Sequence, residues 1–135
     1  AMHLAHPITV GVYTGQSGLK NIALRVERLG ETLGICTSSG IVGHSMSLGY
    51  ADAAIVYASD VTLADAAATA LGNAVVEDDS EHIDIALRKL ALPGIDGMMV
   101  IIGETIGIYG QMPNIVRAHV DYDLISKIDG GIIFG

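Results

Sequence analysis

The chain has 135 residues and a mass of 14.0 kDa, the size of one globular domain. Its 15 acidic residues against 7 Lys and Arg give a formal net charge of -8, which argues against nucleic acid or an anionic membrane as a partner. Half of the residues are hydrophobic, which argues against intrinsic disorder, and no apolar run approaches the ~20 residues of a membrane helix. The single cysteine, Cys36, excludes an internal disulfide and favours a reducing compartment, so a cytoplasmic protein is expected.

Four strands are predicted in the first part of the chain. Residues 8–13 form a short apolar run that ends in a turn-rich loop, and residues 21–27 alternate apolar and polar side chains as a half-buried strand does. Residues 33–37 and 52–58 are the next two candidates. The last of these lacks alternation, which indicates a strand that is buried on both faces.

Two helices and a hairpin are predicted to follow. Small apolar side chains recur at helical spacing over residues 61–74, and residues 80–90 form a second helix with Ser80 as the expected N-cap. Residues 98–102 and 105–109 are typical of a hairpin. This order of elements predicts an α+β fold with a largely antiparallel sheet and two packed helices.

Hydroxyl groups and glycines are densest from the last residue of the third predicted strand onward. The group consists of Thr37, Ser38, Ser39, Gly40, Gly43 and His44. Glycine lets the backbone approach a ligand closely, and amides with hydroxyls can hold an anion such as phosphate. His44 could donate to that anion or carry a proton near neutral pH. The alternative is an ordinary connection whose hydroxyls bond to their own backbone.

A second candidate lies in the first predicted helix. Asp65 and Thr69 are four residues apart, so on a helix they share one side. A carboxylate and a hydroxyl in this arrangement suit a hard cation such as Mg²⁺, which often takes its other ligands from substrate phosphates. The alternative is that Asp65 caps the helix, because Thr62 and Asp65 resemble a capping box.

Other polar side chains are interpreted as structural. Cys36 lies in an apolar strand, where a free cysteine usually behaves as a small buried hydrophobe, so a nucleophilic role beside His44 is rejected. Asp52 is interpreted as a turn residue. The acidic run over residues 77–81 is interpreted as a solvated face between the helices.

Three segments together resemble a known family. They are residues 34–40 (GICTSSG), 43–45 (GHS) and 64–73 (ADAAATALGN). In this order they resemble the uncharacterised ApbE-like proteins, relatives of the FAD:protein FMN transferases, and the likeness runs from about Val10 to Tyr109. The resemblance implies a flavin-transferase-like α+β fold with a T-fold-like core.

The resemblance also implies ligands. In the transferases a helix start of the type Ala-Asp-Ala-Leu-Ala-Thr binds Mg²⁺ through its Asp and Thr, which match Asp65 and Thr69. Their Thr-Ser-Gly element matches residues 37–40 and would bring amides and hydroxyls to FAD or FMN, and the helix N-terminus would favour its phosphates. The transferases continue to His-Ile-Ile-Asp-Pro, whereas His44 is followed by Ser-Met-Ser. Nucleotide binding without FMN transfer is therefore the alternative.

The resemblance bears on length as well. Members of the family are about twice as long, so residues 1–135 are expected to correspond to the C-terminal half of a larger domain. Exposed strand edges would then be covered by the N-terminal half or by further copies in a homo-oligomer. A structural or assembly role is the third hypothesis.

Overall fold

A computed structural model describes residues 1–15, 17–39, 50–119, 127–128 and 131–132. The elements in chain order are β1 (Met2–His3), β2 (Ile8–Gly11), β3 (Ile22–Val26), β4 (Thr32–Ser38), β5 (Ala53–Ala58), α1 (Val61–Ala74), α2 (Ser80–Lys89), β6 (Ile95–Ile102), β7 (Thr105–Gly110), β8 (Asn114–Arg117), β9 (Lys127–Ile128) and β10 (Gly131–Ile132). Within the described ranges, neither helix is long and apolar enough to cross a bilayer.

The strands form two sheets and a separate pair. One sheet has five strands in the order β1-β4-β5-β6-β7, the other has three in the order β2-β3-β8, and β9 pairs with β10. Every one of these pairings is antiparallel. The predicted α+β fold with two helices and a largely antiparallel sheet is thereby confirmed.

The five-stranded sheet is the middle layer of three. On one face, Val56 of β5 packs with Ala64 and Leu71 of α1, and on the other face Ile55 packs with Leu24 of β3. Successive side chains of a strand point to opposite faces, so both faces of β5 are covered and all six of its residues are buried. The continuous apolar run predicted this double burial.

Aspartates that directly precede the helices cap both of them. The carboxylate of Asp60 accepts hydrogen bonds from the amides of Thr62 at 2.8 Å and Leu63 at 3.2 Å. Asp79 accepts from the amide of His82 at 2.9 Å. The expectation of Ser80 as N-cap is therefore wrong: Ser80 is the first helical residue, and the residue before it has the extended backbone that a cap needs.

Candidate functional site at the seam of α1 and β4

Helix α1 lies along β4, and small residues bring the two together. A Cβ at Gly34 would lie 2.6 Å from Val61 Cγ2, and a Cβ at Gly72 would lie 3.2 Å from Ser38 Oγ. Between these points the thiol of Cys36 donates to the carbonyl oxygen of Val61 at 3.7 Å. Alternate residues of β4 therefore face α1. Gly34 lies at the first turn of the helix, and Ser38 lies near its last turn.

Asp65 and Thr69 lie one turn apart on α1, and both are exposed. The Thr69 hydroxyl donates to the carbonyl oxygen of Asp65 at 3.1 Å. A hydroxyl that donates its proton in this way keeps both lone pairs for another partner. Asn73, which the sequence interpretation did not single out, is exposed and continues the row one turn further along the helix.

The charge of Asp65 reaches across to β4. Burial raises the pKa of the Cys36 thiol, and the negative charge of Asp65 raises it further. The thiol is thus held in its neutral form, in agreement with the rejection of a nucleophilic role. Cys36 and Ser38 of β4 lie against α1 at Val61 and Gly72, and Asp65 and Thr69 lie on the helix between these two points; we call this region the α1–β4 seam.

The predicted hydroxyl group does not act as one unit. Ser38 is in the seam, whereas Thr37 points to the opposite face of β4, because β4 continues through Ser38 and its side chains alternate. Ser39 donates to the carbonyl oxygen of Ala51 at 3.4 Å. The other predicted members, Gly40, Gly43 and His44, lie outside the described residues.

The N-terminus of α1 does not offer the phosphate site that the resemblance implied. Asp60 occupies the amides of Thr62 and Leu63, so its carboxylate already takes the place of an anion at the helix N-terminus. Ser38 lies against Gly72, close to the other end of the helix. The dipole of α1 therefore offers no attraction to a phosphate at Ser38, and the interpretation of Asp65 as the cap is wrong.

The donors at the seam suit a cation that also binds phosphate. Among the described residues, no three His, Cys, Asp or Glu side chains cluster closely enough to hold a metal ion by themselves. The Asp65 carboxylate and the Thr69 hydroxyl offer two hard oxygens on an exposed face. Mg²⁺ commonly takes one or two protein carboxylates and completes its octahedron with water and substrate phosphates, so the residues present fit this ion.

Asp52 is a buried carboxylate at the end of the sheet where β4 stops. It is 6% exposed and accepts a hydrogen bond from the amide of Gly103 at 2.8 Å. Ser17 donates to the carbonyl oxygen of the same Gly103. Asp52 and Ser17 thus fasten the β6–β7 turn from two sides.

The protein therefore has an α+β fold with a candidate cation-binding site at the α1–β4 seam. The family model described as AbpE bacteria matches residues 1–91, and the chain belongs to this family.

The chain is also similar to several curated UPF0280 proteins. A UPF0280 protein of Methanosarcina barkeri is 49% identical over 90% of this chain and 48% of its own length. UPF0280 proteins of Methanocella arvoryzae and Methanosarcina acetivorans are each 47% identical, over 91% and 89% of this chain and 50% and 47% of their own lengths. The chain spans about half the length of these relatives.

Proposed function

We propose that the α1–β4 seam binds the phosphates of a flavin nucleotide together with Mg²⁺. The observation that carries the proposal is the position of Asp65: its carboxylate is exposed, lies one turn from the Thr69 hydroxyl and stands on α1 between the contacts of the helix with Cys36 and Ser38. The resemblance of these positions to the FMN transferases supports a flavin as the nucleotide and a flavin-transferase-like relationship for the fold.

The proposal assigns a role to each of four residues. Asp65 and Thr69 would hold the cation, and the bound cation would supply charge neutralisation to a pyrophosphate, which is what phosphoryl transfer requires. The hydroxyl of Ser38, on the same side of β4, would donate to a phosphate oxygen. His44 is proposed as the group that carries a proton.

Isothermal titration calorimetry with FAD tests the proposal. The unmodified protein is expected to bind FAD in the presence of Mg²⁺, and both EDTA and Asp65→Ala are expected to weaken binding at least tenfold. Glu77→Ala is the matched control, because Glu77 is an exposed carboxylate outside the seam and its removal should leave the affinity unchanged. FAD binding that is insensitive to both EDTA and Asp65→Ala would contradict the proposal.

A second candidate is nucleotide binding without transfer. The sequence favours it at one place, because His44 is followed by Ser45, Met46 and Ser47 and lacks the Asp-Pro of the transferases. Incubation with FAD, Mg²⁺ and a set of acceptor peptides separates the two functions. Peptides that gain the mass of FMN would establish transfer, whereas tight Mg²⁺-dependent binding with no modified peptide would establish a binding module.

A further inference from the structure

A cleft lies between the two sheets, where β7 ends one sheet and β8 ends the other. Its volume is about 530 Å³, and the described residues that line it are 18–22, Ile106 of β7, and Ile115, Val116 and Arg117 of β8. Ile106 pairs with Ile101, whose side chain packs against β3, so Ile106 also points into the space between the sheets. We call this space the β7–β8 cleft.

The register of β8 turns Arg117 toward the inside of the cleft. In the ladder between β3 and β8, Arg117 lies opposite Ile22, and Ile115 lies opposite Leu24. Paired residues of a ladder point to the same face, and both Ile22 and Leu24 are buried against the five-stranded sheet. Arg117 therefore shares the core-facing side of β8 with Ile115, and a cationic side chain stands next to apolar ones.

The described residues that line the cleft include two cations and no carboxylate. Lys20 and Arg117 are two of the 7 Lys and Arg residues in a chain with 15 acidic residues. Within the described part of the chain neither forms an ion pair, whereas three other arginines each pair with a carboxylate. Glu104 lies against Gly18 at one end of the cleft and pairs with neither cation. The positive charge of the cleft is therefore not neutralised by these residues.

Both cations keep hydrogen-bond donors for a ligand. Lys20 Nζ donates to the carbonyl oxygen of Gly15 at 2.6 Å, which leaves two of its three hydrogens for other acceptors. The amide of Ala118 donates to the carbonyl oxygen of Asn21 at 3.0 Å and so holds the end of β8 beside the segment that carries Lys20. The planar guanidinium of Arg117 can donate two parallel hydrogen bonds to a carboxylate or a phosphate.

We propose that the β7–β8 cleft binds a small amphiphilic anion, which has one carboxylate or phosphate group on an apolar body. Arg117 and Lys20 bind the anionic group, and the apolar body lies on Ile106 and Ile115. Two cations in a chain of net charge -8 suit one such group rather than a polyanion. The cleft lies on the opposite side of the five-stranded sheet from α1, so this site is separate from the α1–β4 seam.

NMR titrations of the amide signals measure affinity for a matched set of probes. Octanoate and octyl phosphate carry the negative group, whereas octanol and octylamine have the same apolar chain without it. The unmodified protein is expected to bind at least one of the two anions about tenfold or more tightly than either control, because hydrogen bonds to charged groups are strong. The tighter anion identifies the headgroup that the cleft prefers. Affinity for octanol equal to that for both anions would overturn the proposal.

Two variants that remove the same charge locate the group that recognises the anion. Arg117→Gln is expected to weaken binding of the preferred anion by about tenfold or more. Lys89→Gln is the matched control, because Lys89 is exposed on α2 outside the cleft and its removal should leave the affinity unchanged. Unchanged affinity in Arg117→Gln, or an equal loss in Lys89→Gln, would refute recognition by Arg117.

The same spectra of the unmodified protein give a test that depends on no variant folding. The amide signals of Ile22, Ile106 and Ile115 are expected to shift as the preferred anion saturates the cleft. The signals of Ser38 and Asp65 should stay in place, because the seam lies across the sheet. Shifts confined to the seam, or no shifts at all, would contradict the proposal, and neither result depends on FAD or Mg²⁺.

Discussion

The carboxylate of Asp65 acts on the thiol of Cys36 across the seam between α1 and β4. Its negative charge adds to burial in raising the pKa of the thiol. Because Cys36 is the only cysteine of the chain, its reactivity can be followed without interference from any other thiol. The pKa of the Cys36 thiol, followed through its reactivity, therefore reports the charge at position 65.

The first prediction is that Asp65→Asn lowers the pKa of Cys36. A nearby negative charge disfavours the thiolate, so its removal makes deprotonation easier, while burial, the larger cause, continues to hold the pKa up. The measurement is the rate of alkylation by iodoacetamide as a function of pH, and the titration midpoint should move to lower pH. Glu77→Gln should leave it in place.

The same reporter detects the cation without any nucleotide. Mg²⁺ bound at Asp65 would cancel the negative charge, so saturating MgCl₂ is expected to lower the pKa of Cys36 in the unmodified chain and to have no effect in Asp65→Asn. An equal shift in both proteins would show that the ion acts elsewhere. Monovalent salt at matched ionic strength is the control for screening.

A third prediction separates Asp60, which caps α1, from Asp65, which lies within it. Asp60→Ala removes the side chain that accepts from the Thr62 and Leu63 amides and is expected to lower the free energy of unfolding by about 1 kcal/mol. Asp65→Ala removes an exposed side chain that caps nothing, and its effect is expected within about 0.5 kcal/mol. Urea unfolding curves of the two variants decide the matter, and a larger loss for Asp65→Ala would contradict the assignment of the cap.

The sequence was informative where local pattern and burial agree. The continuous apolar run of β5 predicted a strand buried on both faces, and helical spacing predicted α1 and the shared side of Asp65 and Thr69. Strand β8 was missed: Asn114–Arg117 is four residues long, follows a proline, and pairs with β3 from the far end of the chain. Nothing in its local pattern indicates such a distant partner.

The local sequence pattern could not predict which residues form the α1–β4 seam. The third strand was predicted to end at Thr37, but β4 runs through Ser38, and this one additional residue places Thr37 and Ser38 on opposite faces of the sheet. The contact that brings Ser38 to α1 is with Gly72. A glycine inside a helix lowers its helix propensity, and the local sequence does not show why it is there. The packed structure shows that Gly72 allows β4 to approach α1 closely.

A fourth prediction concerns two glycines with different neighbours. A Cβ at Gly97 would lie 2.4 Å from the backbone oxygen of Gln111, so Gly97→Ala must displace the backbone between β7 and β8 and is expected to cost about 3 kcal/mol of unfolding free energy. At Gly72 the nearest atom is the side-chain oxygen of Ser38, at 3.2 Å. Gly72→Ala also gains up to about 1 kcal/mol of helix propensity, so its net effect is expected within about 1 kcal/mol. Thermal or urea unfolding compares the two, and equal losses would refute the assigned contacts.

A fifth prediction tests the buried carboxylate at the β6–β7 turn. Asp52→Ala leaves the amide of Gly103 without its acceptor in a site where Asp52 is only 6% exposed, so a loss of about 1–3 kcal/mol in unfolding free energy is expected. Asp52→Asn keeps an oxygen that can accept from that amide, so it should retain most of the stability. Hydrogen exchange gives the local readout, because the Gly103 amide should exchange much faster in Asp52→Ala than in Asp52→Asn. Equal exchange in both variants would mean that Asp52 does not hold the turn.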